Sequence, residues 1–371
     1  MQDIDMQAAV TQVLWAAFAL SVLFGAIAQR TQFCTMGAVA DIVTVGDWTR
    51  MRMWALAGGV AMLGFNAMVA AGWIDAANSI YATPRLTWLS ALIGGLMFGF
   101  GMVLASGCGS KSLVRIGGGS LKALVVFIVL GLAAFATLKG ITAAVRVASV
   151  DRVALELAGG QDLPTLVASA FGVAKPRAAL LLGAVLGGGL VAWALARAEG
   201  RSANVLLGGA GIGAAIAAMW WVSGRLGYVA EDPNTLQQAF VATNSQRMES
   251  MSFVAPVAYT LDWLLFFSDK NKLLTLGIAS TAGVVVGSAL WALASRSFRW
   301  EGFANAEDTG NHLAGALLMG VGGVAALGCT VGQGLSGVST LAVGSFIALA
   351  AIIGGAVIAL RYQVWRVERT A

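Results

Sequence analysis

Nine apolar stretches, each about as long as a bilayer core is thick, constrain this chain more than any other feature. They run near residues 8–28, 52–72, 88–106, 121–141, 177–197, 203–223, 272–294, 312–328 and 338–361, and a helix needs about 20 such residues to cross the hydrocarbon. Only 11% of the residues are charged while 58% are hydrophobic, against about 25% charged in an ordinary soluble domain. Lipid is therefore the solvent for most of the surface, where backbone polar groups must be paired internally and helices are selected. The expectation is an all-α polytopic membrane protein: one integral domain over residues 1–371, with about nine transmembrane helices and short re-entrant helices.

Two of the spans carry the same element. Gly94 to Cys108 aligns without a gap to Gly315 to Cys329, with identities at Gly94/Gly315, Leu96/Leu317, Gly99/Gly320, Gly101/Gly322, Val103/Val324, Ala105/Ala326, Gly107/Gly328 and Cys108/Cys329. A weaker match upstream pairs Ala28, Arg30, Ala38 and Ala40 with Ala294, Arg296, Ala304 and Ala306. This gives two pseudo-symmetric repeats, over about 8–141 and 272–361, with two inserted spans over 177–223. Internal repeats in transporters surround a site near the bilayer midplane. Polar connections at Arg146–Pro176 and Gly224–Asn271 flank the inserted spans. The second contains Glu231-Asp232-Pro233-Asn234 and then Phe253 to Phe267, an aromatic segment that fits either the membrane interface or a buried loop.

After each repeated cysteine the chain is too short to span and too glycine-rich for a firm helix interior: Gly109 to Gly119 after Cys108, and Thr330 to Gly337 after Cys329. Each reads as a break followed by a short re-entrant helix. Free amides at such a break, with the positive end of a half-helix behind them, form an anion site.

The cysteines are Cys34, Cys108 and Cys329, and there is one histidine, His312. A structural zinc site wants four Cys, His or carboxylate ligands, so no metal and no cofactor is expected. A soft copper path through some of the 13 Met is disfavoured because they form no Met-x-x-Met cluster. Thiols can instead make weak, soft contacts to a substrate that itself carries sulfur, and weak contacts in series suit permeation. Lys111 and Arg115 could draw in an anion or serve only as topology signals. Arg30 and Arg296 could clamp an oxyanion or pair with Asp41 and Glu307. Ser106, Ser110, Thr330 and Gln333 offer neutral hydrogen bonds beside the thiols. Asp and Glu are missing from the apolar spans and there is no Walker A sequence, which argues against a proton relay and an ATPase.

The amino-terminal twelve residues hold Asp3 and Asp5 but no Lys or Arg, so no cleaved signal peptide is expected. Arg30, Arg50, Arg52, Lys111, Arg115 and Lys122 fall on one side of the spans, which places the amino terminus outside and the carboxyl terminus in the cytoplasm. The formal charge of +5 fits that bias and attraction for anions, with no nucleic acid invoked.

The motifs Arg30-Thr31-Gln32-Phe33-Cys34-Thr35-Met36-Gly37-Ala38 with Asp41, Gly99-Phe100-Gly101-Met102 running to Ser106-Gly107-Cys108, and Gly328-Cys329-Thr330-Val331-Gly332-Gln333-Gly334-Leu335-Ser336-Gly337 resemble those of the YeeE/YedE sulfur transporters. The resemblance covers nearly the whole chain. It implies an hourglass-like protein of the bacterial inner membrane in which short helices meet at a constriction, and thiosulfate uptake by relay along Cys34, Cys108 and Cys329. Gly107, Gly328, Ser110, Thr330, Gln333, Lys111 and Arg30 are the candidate path residues beside them. It also implies a small TusA- or YeeD-like cytoplasmic sulfur-carrier partner, for which these 371 residues contain no domain. A transporter for selenium or other sulfur species, and a membrane thiol-dependent sulfurtransferase or redox protein, are the alternatives.

Overall fold

A computed structural model describes residues 6–157, 159–232, 236–269 and 271–370; Asp3, Asp5, Pro233 and Asn234 lie outside the described residues. The elements in chain order are α1 (Met6–Thr31), α2 (Thr35–Val45), α3 (Thr49–Ala70), β1 (Arg85–Leu86), α4 (Trp88–Leu104), α5 (Gly109–Gly117), α6 (Leu121–Lys139), α7 (Ile141–Ala148), β2 (Leu155–Glu156), α8 (Leu163–Phe171), α9 (Lys175–Leu182) and α10 (Gly188–Leu195). There follow α11 (Ala203–Trp221), β3 (Tyr228–Val229), β4 (Ala239–Phe240), α12 (Ala255–Leu265), α13 (Leu276–Ala294), α14 (Ala306–Ala325) and α15 (Val343–Thr370).

The protein is all-α and polytopic. Among the described residues, 8 helical segments are long and apolar enough to cross a membrane. The expected span at 312–328 is α14, which is long enough but opens with Glu307, Asp308 and the buried His312. Its polar first turn lowers its hydropathy, while its glycine face packs against α4 and α6. The span at 177–197 is α9 and α10 joined by a π-helical turn at Gly183–Gly187, and α2 and α5 are short helices appended to α1 and α4.

The polar connections fold on one end of the bundle. The first carries α7 and α8 and pairs β1 with β2; the second pairs β3 with β4 before α12. The aromatic segment divides between the two expected readings. Phe253, Val254, Val257 and Ala258 are fully buried, whereas Leu264, Leu265, Phe266 and Phe267 are more than half exposed.

Glycine contacts fix how the two matched helices cross. A methyl on Gly94 would lie 2.6 Å from the Gly322 carbonyl, and one on Gly322 would lie 2.5 Å from that of Gly94. Gly101 and Gly315 make the reciprocal pair at 2.6 and 2.5 Å. Backbones this close require small residues, the usual device where no hydrophobic force separates protein from lipid. The repeat equates Gly94 with Gly315 and Gly101 with Gly322, so it exchanges the two contacts. As residue number rises on α4 it falls on α14, so the pseudo-two-fold relating this pair lies across the helices. For these two elements the repeat is inverted.

The backbone sets a different register upstream. At the end of α1, Gln32 is left-handed (φ 54°) and the Phe33 amide reaches the Ala28 carbonyl at 3.1 Å; at the end of α13, Arg296 is left-handed (φ 54°) and the Ser297 amide reaches Ala292 at 2.9 Å. Gln32 therefore corresponds to Arg296, two residues away from the pairing of Arg30 with Arg296 read from side chains. Helix closure is set by hydrogen bonds, and scattered Ala and Arg identities do not report it.

The glycine packing of α4 predicts that Gly99→Val is destabilising, because its new atoms meet the Ile352 carbonyl on α15, already 2.0 Å from a methyl placed there. Overpacking of this kind costs about 1–3 kcal/mol, to be read as a lowered unfolding temperature in detergent. Gly302→Ala, with open space around it, serves as the neutral comparison.

Candidate functional site

The two matched breaks have the same backbone. Ser106 and Leu327 are left-handed at φ 54° and 57°, and Gly107 and Gly328 follow at φ 158° and 157°. Each break is tied to its helix in the same way: the Gly107 amide reaches the Met102 carbonyl at 2.8 Å and the Gly328 amide reaches Gly323 at 2.7 Å. Only glycine readily adopts the second conformation, which explains glycine directly before each cysteine.

Each cysteine then stands at the start of a short helical segment. Cys34 is the N-cap of α2, in extended conformation, and its Sγ accepts from the Gly37 amide at 3.3 Å. Cys108 is the N-cap of α5. Cys329 precedes a π-helical turn at Gly332–Gly337, and its Sγ accepts from the Gly332 amide at 3.4 Å. Cysteine is not among the favoured N-cap residues, yet here it takes the capping role twice. The one-residue difference between the copies explains the π turn. The second copy has one more residue between its cysteine and its left-handed closing residue, Leu341, than the first has before Gly119. The Ser336 amide bonds the Val331 carbonyl, five residues back, at 2.9 Å, and a π turn absorbs such an insertion.

Cys108 neighbours both other thiols, close enough to Cys34 and to Cys329 for charge on one to be felt at the next. Its Sγ is 3.2 Å from Ser110 Oγ and accepts from Thr330 Oγ1 at 3.2 Å, so a hydroxyl of the second copy reaches the thiol of the first. Cys108, Cys329 and Thr330 are buried, and Cys34 is partly exposed. Gln333 is also buried: its Nε2 donates to the Ala326 carbonyl at 2.5 Å, while Oε1 has no hydrogen-bond partner. Among the described residues no cluster of three or more His, Cys, Asp or Glu could hold a metal ion.

The basic residues divide. Lys111 is at the site, interacting electrostatically with Cys34 and Cys108, and its Nζ donates to Gln32 Oε1 at 2.9 Å. Arg30 is elsewhere, with its guanidinium 5.1 Å from the centre of the Trp291 ring. Asp41 pairs instead with Arg50 at 3.3 Å, and Glu307 with Arg366. Arg50, read from sequence only as a topology signal, approaches the start of α2: a methyl on Gly37 would lie 2.6 Å from its Nη1.

Two cavities lie beside the segments that carry the thiols. One, about 500 Å³, is lined by Gln29, Gln32, Lys111, Arg115 and Arg299 among others. The other, about 160 Å³, includes Gly328, beside Cys329, with Tyr81, Arg146, Ser252 and Glu249. Tyr81 Oη donates to the Gly332 carbonyl at 2.7 Å and so braces the π turn. Sequence reasoning missed Tyr81, in the connection between α3 and α4, and Glu249, in the second polar connection, because neither segment carries a motif.

An ionic clip holds the C-terminal end of α5. Arg299 and Glu301 amides bond the Gly118 and Gly119 carbonyls at 3.0 and 3.2 Å, and the Glu301 carboxylate meets Arg115 at 3.1 Å and Lys122 at 3.0 Å. Burial pushes the Glu301 carboxyl up, but hydrogen bonds from Lys122 and Arg115 prevail and hold it at about 2. A depressed acid stabilises the fold above its unfolded value of about 4.3 and loses that contribution as pH falls toward the folded one. Wild-type protein should therefore lose thermal stability below about pH 4 more steeply than Glu301→Gln, as measured by unfolding temperature against pH. At the second break, Gly328→Ala should cost about 1–3 kcal/mol through backbone strain, read by the same assay.

Comparison with known proteins places this geometry. The chain is 27% identical over 318 residues, 84% of each chain, to the thiosulfate transporter TsuA of Escherichia coli strain K12. It is 25% identical over 348 residues, 91% of this chain and 94% of the other, to the thiosulfate transporter TsuA of Spirochaeta thermophila. A shorter stretch of 104 residues, 28% of this chain and 24% of the other, is 31% identical to the probable transporter YedE of E. coli K12. Residues 30–358 match the family described as sulphur transport, a range that contains all three thiols and both breaks, and the chain belongs to that family.

Proposed function

We propose that the protein carries thiosulfate, or a closely related sulfur anion, across the bacterial inner membrane into the cytoplasm, passing it along Cys34, Cys108 and Cys329. The observation that carries this reading is the placement of Cys108 within electrostatic reach of both other thiols, with one cavity beside Gln32 and Lys111 and another beside Gly328. Because Cys34 and Cys329 accept backbone amides through sulfur lone pairs, their S–H hydrogens are left to donate. A weak S–H donor suits the terminal sulfur of thiosulfate. Amides and the positive ends of α2 and α5 favour the sulfonate end, and Lys111 adds charge at the wider cavity. Individually feeble contacts in series let the anion leave as readily as it binds.

In this reading the amino terminus is outside, the carboxyl terminus is cytoplasmic, and the cavity beside Gly328 faces the exterior. The two repeats, over about 8–141 and 272–361 around the inserted spans 177–223, form one hourglass-like integral domain. The similarity to proteins named as thiosulfate transporters over most of both chains supports transport over catalysis. A TusA- or YeeD-like carrier would collect the anion at the cavity that contains Lys111 and Arg115.

At equal expression, Cys108→Ala or Cys329→Ala should abolish uptake of labelled thiosulfate, and normal uptake in both variants would remove the relay. Replacement by Ser keeps an acidic hydrogen but not the soft sulfur. It should leave only a small fraction of the wild-type rate.

A further inference from the structure

The cavity beside Gly328 contains a carboxylate that the thiol path does not use. Glu249 lines it together with Tyr81, Arg146, Tyr259 and Ser280. Its carboxylate accepts from the Ser245 amide at 2.9 Å and from the Ser245 hydroxyl, both neutral donors. Among the described residues no cation pairs with it. Arg146 is engaged by Asp151 at 3.0 Å, Arg247 donates to the Ser79 carbonyl at 3.4 Å, and Lys272 pairs with Asp262 at 2.5 Å. Tyr81 and Tyr259 are the other titratable groups that feel Glu249, and burial pushes both up, so they stay neutral around pH 7. Burial also raises Glu249, in opposition to the Ser245 hydrogen bonds.

A second observation points to an occupant. Ser280 Oγ, on α13, lines the same cavity, is 1% exposed, and has no hydrogen-bond partner. A buried hydroxyl without a partner is uncommon and marks a place for a ligand atom. The cavity thus offers hydroxyl donors, one cation already paired, and one carboxylate that no cation among the described residues pairs with. A doubly charged anion entering beside an ionised, unpaired carboxylate in a medium of low dielectric is repelled. Beside a protonated carboxyl it gains another O–H donor instead.

We propose that Glu249 couples proton uptake to anion occupancy of this cavity: the anion binds when Glu249 carries a proton, and binding draws that proton from solution. The inference rests on the reading of the protein as a sulfur-anion transporter. It makes the transported unit an anion accompanied by a proton at the mouth of the path, and it gives Glu249 and Ser280 roles as binding residues for that unit.

The test is thiosulfate binding to the purified full-length protein by calorimetry, in pairs of buffers with different ionisation heats, from about pH 6 to about pH 9. In wild type the dissociation constant should climb, by up to about tenfold per pH unit above the titration of Glu249, with close to one proton taken up per thiosulfate at the alkaline end. In Glu249→Gln, which mimics the protonated shape, the constant should be flat and proton uptake absent. A flat wild-type constant, or equal proton uptake in wild type and variant, overturns the inference while leaving thiosulfate transport intact. Wild type that neither binds nor takes up thiosulfate overturns the functional reading and the inference with it. If the variant does not fold, the wild-type slope and proton count decide alone.

Discussion

A helix that ends inside an apolar medium leaves amide donors without water, and the architecture around the three thiols answers that constraint. At Cys34 and at Cys329 the sulfur itself accepts an amide three residues ahead. At Cys108 the sulfur accepts a hydroxyl from the opposite copy. The same atoms that could meet a substrate therefore also hold the backbone breaks together. Such weak acceptors suffice only because the breaks are enclosed: Cys108, Thr330 and Cys329 are almost wholly buried, and irregular backbone at membrane depth survives only inside protein or beside a wet cavity.

That enclosure depends on close helix crossings. Gly94, Gly101, Gly315 and Gly322 bring α4 and α14 into backbone contact, and because the contacts exchange under the repeat, they carry both breaks to corresponding places. The wide use of glycine, 48 residues, thus has two separate physical grounds. Most contacts of this kind need the missing side chain. Gly107 and Gly328 need the backbone conformation as well.

The repeats agree in backbone at the breaks and differ in what surrounds them. The first copy has a regular α5 with Lys111 and Arg115, pinned at its far end by Glu301. The second has a π turn braced by Tyr81 and lined by neutral Gln333 and Ser336, both buried. The cavity beside the first copy is consequently basic and wide. The other is narrow, rich in hydroxyls, and carries Glu249.

The sequence by itself determined the membrane class, the positions of the spans, the duplicated Gly-Cys element and the short helices after it, because apolar length and local glycine spacing are properties of contiguous residues. It also named the three cysteines, Ser110, Thr330 and Lys111, which the fold brings near one another. Only the tertiary structure decided that Cys108 neighbours both other thiols, that Arg30 stacks on Trp291 and leaves Asp41 to Arg50, and that α1 and α13 correspond two residues away from the apparent match. It alone brought Tyr81, from the connection between α3 and α4, and Glu249, from the second polar connection, to the cavity beside Gly328. The physical reason is common to all of these: a side chain's partners across a bundle depend on helix crossing and backbone hydrogen bonds, and neither leaves a trace in local composition.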